Sequence, residues 1–143
     1  MIDKPKTSGL RHVALFCLKL EECVSFYTNF LNMTIEWQPD KDNYYLTSGN
    51  DNLALHRAPD NFIADSFQYL DHIGFILDTP QLVDHWYEYF KAADIKIEIT
   101  TQPRTHRDGA RSFYCKDPDG RTIQMMYHPP ISEIIKYNKQ LLS

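Results

Sequence analysis

The stretch Arg11–Leu20, RHVALFCLKL, returns sixty residues later as Asp71–Pro80, DHIGFILDTP. Each copy carries a histidine in second position, followed by a run of strand formers. Two-residue alternation places His12, Ala14 and Phe16 on one face and Val13, Leu15 and Cys17 on the other. In the second copy His72, Gly74 and Ile76 share a face. The segments after the two copies are also alike. Leu20–Asn32 sets Leu20, Cys23, Val24, Tyr27, Phe30 and Leu31 at helical spacing, and Pro80–Asp94 does so with Leu82, Val83, Trp86, Tyr87 and Phe90. Pro80 suits the first turn of a helix.

Three strand-like runs come after each helix. They are Met33–Gln38, Asn43–Thr47 and Asn52–Arg57 in the first half, and Ile95–Thr100, Ala110–Lys116 and Arg121–Tyr127 in the second. Pro39 and Asp40, then Ser48-Gly49-Asn50-Asp51, separate the first set. Asp117-Pro118-Asp119-Gly120 fits a type I turn. Aligning LALHRAP with IQMMYHP gives an offset of 70, pairing Ala54 with Gln124. Each half therefore reads β-α-β-β-β, an internal repeat. The second half is ten residues longer, part of them in the Thr101–Gly109 loop. Paired sites are expected where equivalent halves meet.

Length and composition agree with one α+β domain. The chain has 143 residues, 43% of them hydrophobic and 24% charged, enough for one core. A net charge of −4 disfavours a nucleic-acid partner. No apolar run approaches ~18 residues, so no membrane partner is expected, and Met1–Gly9 lacks the apolar segment of a signal peptide. Three cysteines without metal-type spacing suit a reduced, cytoplasmic protein.

RHVALFC with SFYTNFLNM, then LDHIGF, then RDGARSFYCKDPDGRTIQMMY, resemble the vicinal oxygen chelate (VOC) superfamily of glyoxalase I, the fosfomycin- and bleomycin-resistance proteins and the extradiol dioxygenases. The resemblance covers roughly residues 10–130. It implies two βαβββ modules, 8–59 and 69–130, forming curved mixed sheets around a central cavity in a single glyoxalase-like domain, 8–130, with a helical tail, 131–143. It also implies metal ligands on the first and last strands of each module. These positions hold His12, Ala54, His72 and Gln124. Ala54 breaks the four-ligand glyoxalase I pattern, and a three-ligand set survives in which Gln124 replaces the usual Glu. The implied cofactor is a divalent metal ion (Zn, Ni, Mn or Fe).

Strand histidines are commonly structural, yet two at repeat-equivalent positions aimed at one interior point to a shared ligand. An amide oxygen brings a dipole where a carboxylate brings a charge. Two imidazoles and one amide leave a divalent site near +2, holding the ion less tightly and polarising bound water more strongly. The other reading of Gln124 is a cavity hydrogen-bonding residue without metal. His56, on the face of Ala54, is a candidate fourth ligand or general base, and His128 lies on the corresponding face beyond Gln124. His85 is expected to face solvent. By the same resemblance to extradiol dioxygenases, Tyr114 and His106, ten and eighteen residues before Gln124, are candidate catalytic residues. Arg104, Arg107 and Arg111 concentrate positive charge in an acidic chain and suit either an anionic substrate group or solvent.

Two functions are compatible with these residues. One is a metal-dependent enzyme (lyase, isomerase, transferase or dioxygenase) chelating vicinal oxygens of a small substrate. The other is a metal-free binding or sequestration protein of the bleomycin-resistance type, with Phe16, Trp37, Tyr44, Tyr45, Phe113 and Tyr114 lining its pocket. Ser132 is expected to cap a tail helix whose face Ile134, Ile135, Leu141 and Leu142 needs covering, and a homodimer is expected.

Overall fold

The computed structural model describes residues 10–65, 70–93 and 96–143, apart from the side chains of 135 and 136. Expectations for Met1–Gly9, Asp94, Ile95, the Ile135 side chain and the module limits at 8 and 69 lie outside the described residues. The chain separates into two compact units, one ending at Ile63 and one running from Ala64.

The first unit contains β1 (His12–Cys17), α1 (Leu20–Ser25) continuing into a π-helical turn (Phe26–Phe30), β2 (Thr34–Asp40), β3 (Asn43–Thr47) and β4 (Asn52–Arg57). The second contains β5 (Ile73–Ile76), α2 (Pro80–Ala92), β6 (Arg104–Thr105), β7 (Arg111–Lys116), β8 (Thr122–Tyr127) and the tail helix α3 (Pro129–Leu141). The sheets are ordered β1-β4-β3-β2 and β5-β8-β7-β6. In each, the first strand runs parallel to the last and the other neighbours are antiparallel. The chain thus folds as two βαβββ modules with mixed sheets and a C-terminal helix.

The hydrogen-bonded register reproduces the offsets of the sequence repeat. Val13 lies opposite Leu53 and Ile73 opposite Ile123; Ala14 lies opposite Ala54 and Gly74 opposite Gln124. Alternation then sends one face of each sheet against its helix. In the first unit Leu15, Cys17, Leu46, Leu53 and Leu55 are buried, as are Leu20, Cys23, Phe26 and Tyr27 from the helical segment. In the second, Phe113 meets Tyr87 and Phe90 edge-on at 5.5 and 5.9 Å, beside buried Val83, Ile123 and Met125. Each such burial stabilises by about 1.5–3 kcal/mol. The opposite faces carry His12, Ala54 and His56, and Gly74, Gln124 and Tyr114.

Several elements differ from expectation, for physical reasons. Residues 96–100 do not form a strand: Ile99 makes only an isolated bridge to Cys115, and the fourth strand of the second sheet is Arg104–Thr105. Between them the Thr101 hydroxyl accepts the Tyr114 N–H at 2.9 Å, taking the place of a backbone carbonyl, and Pro103 has no N–H to offer. Pro39 and Asp40 lie inside β2, where an edge strand accommodates proline. His72 falls one residue before β5, which is shorter than the run Leu70–Leu77.

The tail helix starts at Pro129, because two prolines fit the first turn, where N–H groups lack partners. Ser132 is therefore within the helix. It is fully buried, accepting the His128 N–H at 3.0 Å and donating to the Leu77 carbonyl at 2.8 Å. Lys139 pairs with Asp78 at 2.6 Å, so α3 is tied to its own unit. Ile134, Leu141 and Leu142 remain exposed. No helix among the described residues is long and apolar enough to cross a membrane.

Candidate active site

His12 opens β1 with its ring exposed, directly beside Asn52 in the parallel pair. His12 Nδ1 lies 2.7 Å from Asn52 Oδ1, and Asn52 Nδ2 donates to Glu36 at 2.7 Å. A carboxylate only accepts, so the amide must turn its NH2 toward Glu36 and its oxygen toward the ring. The neutral imidazole therefore carries its proton on Nδ1 and keeps its lone pair on Nε2.

The arrangement recurs at His56, which faces Asn43 across β3 and β4. His56 Nδ1 lies 2.6 Å from Asn43 Oδ1, while Asn43 Nδ2 donates to both Asp40 oxygens at 2.8 and 3.0 Å. The Asp42 N–H, then the Asn43 amide, hold the Asp40 carboxyl below its ordinary range. Ala54, buried between Ala14 and Tyr45, offers no ligand atom. Tyr45 stands edge-on to His56 at 5.6 Å and packs on Trp37 at 4.9 Å.

In the second unit His72 donates Nδ1–H to Asp71 at 2.5 Å, which in the neutral ring puts the lone pair on Nε2, and its ring meets Tyr114 edge-on at 5.6 Å. Gln124 sits between Gly74 and Tyr114 in the sheet. Its Nε2 donates to Ser112 Oγ at 3.0 Å, and the same oxygen lies 3.0 Å from His106 Nε2. Gln124 and Ser112 are both buried. With the amide nitrogen engaged, Oε1 is left as the acceptor. Gly74 keeps a side chain away from it; a Cβ there would stand 3.9 Å from that oxygen.

The four candidates of the second unit, His72, His106, Tyr114 and Gln124, thus share one sheet face, and His12 and His56 share the corresponding face of the first. In each unit, taken by itself, an imidazole nitrogen is a donor type that a divalent ion accepts, as is the Gln124 amide oxygen in the second, and the engaged Nδ1 atoms match the usual outer support of metal-bound histidine. Asn52, Asn43, Glu36, Asp40, Asp71 and Ser112 escaped sequence reasoning. The alternation Asn52, Ala54, His56 along β4 was the available signal for Asn52.

Arg111 does not join this face. Its guanidinium binds Asp84 of α2 at 2.6 and 3.0 Å and Thr105 at 2.9 Å, on the helix side of the sheet. Arg104 and Arg107 are exposed, as is His85. His128 serves at the start of α3, and its Nδ1 is buried without a partner among the described residues. Cys17, Cys23 and Cys115 are all buried. Burial, then the charge of Asp117, pushes the Cys115 thiol up to about 12, so it packs as a small apolar group.

Duplicated βαβββ modules, each with a histidine at or just before the start of its first strand, define a glyoxalase-type protein. The chain belongs to the Glyoxalase/Bleomycin resistance protein/Dioxygenase superfamily, whose profile matches residues 9–125. A lactoylglutathione lyase from Agrobacterium tumefaciens is 20% identical, with a TM-score of 0.68 over 86% of this chain and 96% of that one. A glyoxalase/bleomycin resistance protein/dioxygenase from Alicyclobacillus acidocaldarius is also 20% identical, with a TM-score of 0.64 over 85% and 92%. A glyoxalase-related enzyme from Fulvimarina pelagi has a TM-score of 0.69 at 15% identity, over 86% and 90%. At these identities the likeness shows the fold alone. No curated protein matches the sequence.

Proposed function

We propose that the chain is a metal-dependent enzyme that acts on a small substrate with two adjacent oxygens, as a lyase, isomerase, transferase or dioxygenase. His12 Nε2, His72 Nε2 and Gln124 Oε1 would hold the ion. The observation that carries this reading is the shared tautomer: both repeat-equivalent histidines spend Nδ1–H on an acceptor and keep Nε2 bare. A bound Zn, Ni, Mn or Fe ion would polarise the substrate oxygens and stabilise negative charge developing on them.

The chain's own groups supply the rest. His56, with its Nδ1–H fixed by Asn43, is the proposed general base, accepting a substrate proton at Nε2. Tyr114 stands beside the His72 ring, and its hydroxyl is the proposed proton carrier on that side. His106, joined to Gln124 through Ser112, is the proposed third catalytic candidate. Arg104 and Arg107, exposed near this edge, suit an anionic substrate group.

Calorimetric titration of protein purified without a metal-affinity tag tests the reading. One divalent ion per chain is the expected result, and no binding of any of the four ions would overturn it. A second reading, a metal-free small-molecule binding or sequestration protein of the bleomycin-resistance type, is favoured by exposed Phe16 and by exposed Trp37, which packs on Tyr45, on the face of His56. We further propose a cytoplasmic homodimer. The low, odd number of cysteines supports the compartment, and the exposed Ile134, Leu141 and Leu142 support the pairing. Light scattering should give about twice 16.8 kDa.

A further inference from the structure

The first sheet builds the same three-part relay twice: carboxylate, asparagine amide, imidazole. Glu36–Asn52–His12 is assembled from β2, β4 and β1, and Asp40–Asn43–His56 from β2, β3 and β4. In both, the amide direction is dictated by the carboxylate, which can only accept, and the tautomer is dictated by the amide oxygen, which can only accept in turn. In water a neutral histidine side chain favours its proton on Nε2. Each relay reverses that preference and turns a bare Nε2 outward.

We propose that Asn52 with Glu36, and Asn43 with Asp40, are positioning residues that lock His12 and His56 in the Nδ1–H tautomer. Nε2 of His12 is thereby made a ligand atom and Nε2 of His56 a proton acceptor. The roles of the two imidazoles rest on the proposed function; the tautomer lock stands on the hydrogen bonds. Relay members alternate along the strands so that each imidazole sits one hydrogen bond from an amide and two from a carboxylate. A histidine held only by packing would show no such order. Removal of an outer partner of this kind costs about 10–100-fold in metal affinity.

The test is long-range proton–nitrogen correlation of the imidazole rings in the full-length, metal-free, 15N-labelled protein, alkaline of their titrations. Both His12 and His56 should show the Nδ1–H pattern. Asn52→Leu should return His12 to Nε2–H and leave His56 unmoved, and Asn43→Leu should do the reverse. The untouched ring reports in each case that the sheet is folded. Asn52→Asp alone sets two carboxylates against each other. Asn52→Asp combined with Glu36→Gln rebuilds the relay with its polarity kept, and should restore the His12 tautomer.

Asn52→Leu should also weaken divalent-ion binding about 10–100-fold, and the double variant should recover most of it. Wild-type His12 in the Nε2–H form, or no tautomer change in Asn52→Leu, would overturn the proposal. Absence of metal binding with both rings in the Nδ1–H form would sink the functional reading and leave the lock intact.

Discussion

The two modules share a backbone plan and differ in how each arms its polar face. Val13 faces Leu53 and Ile73 faces Ile123 in matching parallel registers, so the pairing of first and last strands is equivalent to the residue. On the first face the last strand carries Ala54, and the polar chemistry lies in two histidines with amide and carboxylate support. On the second face the same position carries Gln124, held by buried Ser112. The edges diverge too. β2 is a seven-residue strand supplying both relay carboxylates, Glu36 and Asp40, whereas β6 has two residues after an interrupted run. Register is tied to the buried face, where a one-residue slip would expose the core. The opposite face is free to diverge, and there the chemistry differs.

The largest expected effect tests the shared framework. Leu53→Ala and Ile123→Ala truncate buried, repeat-equivalent side chains, and each should cost about 2–5 kcal/mol in urea unfolding. A loss below ~1 kcal/mol at only one of them would break the equivalence of the two cores. A smaller effect probes the divergent faces. Gln124→Glu restores a charged ligand, so divalent-ion binding should tighten about tenfold, or ~1.4 kcal/mol. Unchanged or weaker binding would mean that residue 124 does not touch the ion.

Smaller still are the turns that precede each last strand. Gly49 has φ +124° and Gly120 φ +85°, and a Cβ at either meets nothing within 4 Å, so only the backbone resists substitution. Gly120→Ala should cost about 1 kcal/mol. Gly49→Ala should also cost about 1 kcal/mol, since its angle lies in a region nearly confined to glycine. Equal thermal midpoints for Gly49→Ala and the unsubstituted protein would contradict this.

Much of the fold was legible because repetition amplified it. Asn43–Thr47 and Asn52–Arg57 appear with the bounds that alternation gives them, and the offsets of 60 and 70 reappear as hydrogen-bonded register. The strand expected at Ile95–Thr100 failed because periodicity does not register a side chain taking a backbone position, as Thr101 does for Tyr114. The helix start at Pro129 was misread because Ser132 has the chemistry of a cap, while its hydroxyl instead reaches the Leu77 carbonyl, fifty-five residues away. At the site, the histidines and Gln124 stood out by their place in the repeat. Their supports did not: Glu36, Asn43, Asn52 and Ser112 act through contacts between strands, and apart from the alternation that puts Asn52 on the face of His56, only the register reveals those. Arg111 shows the converse. It stood out as a loop cation, yet alternation with Ser112 turns it toward Asp84 and away from the site face.

We propose above that His12 and His72 hold one divalent ion. The most direct test of this proposal is calorimetric titration of a divalent metal into the tag-free protein, His12→Ala and His72→Ala, run side by side. One ion per chain is expected in the unsubstituted protein, and the loss of that single binding event in both variants. A variant that still binds one ion with unchanged affinity would contradict it, because the ion would then be held without that histidine.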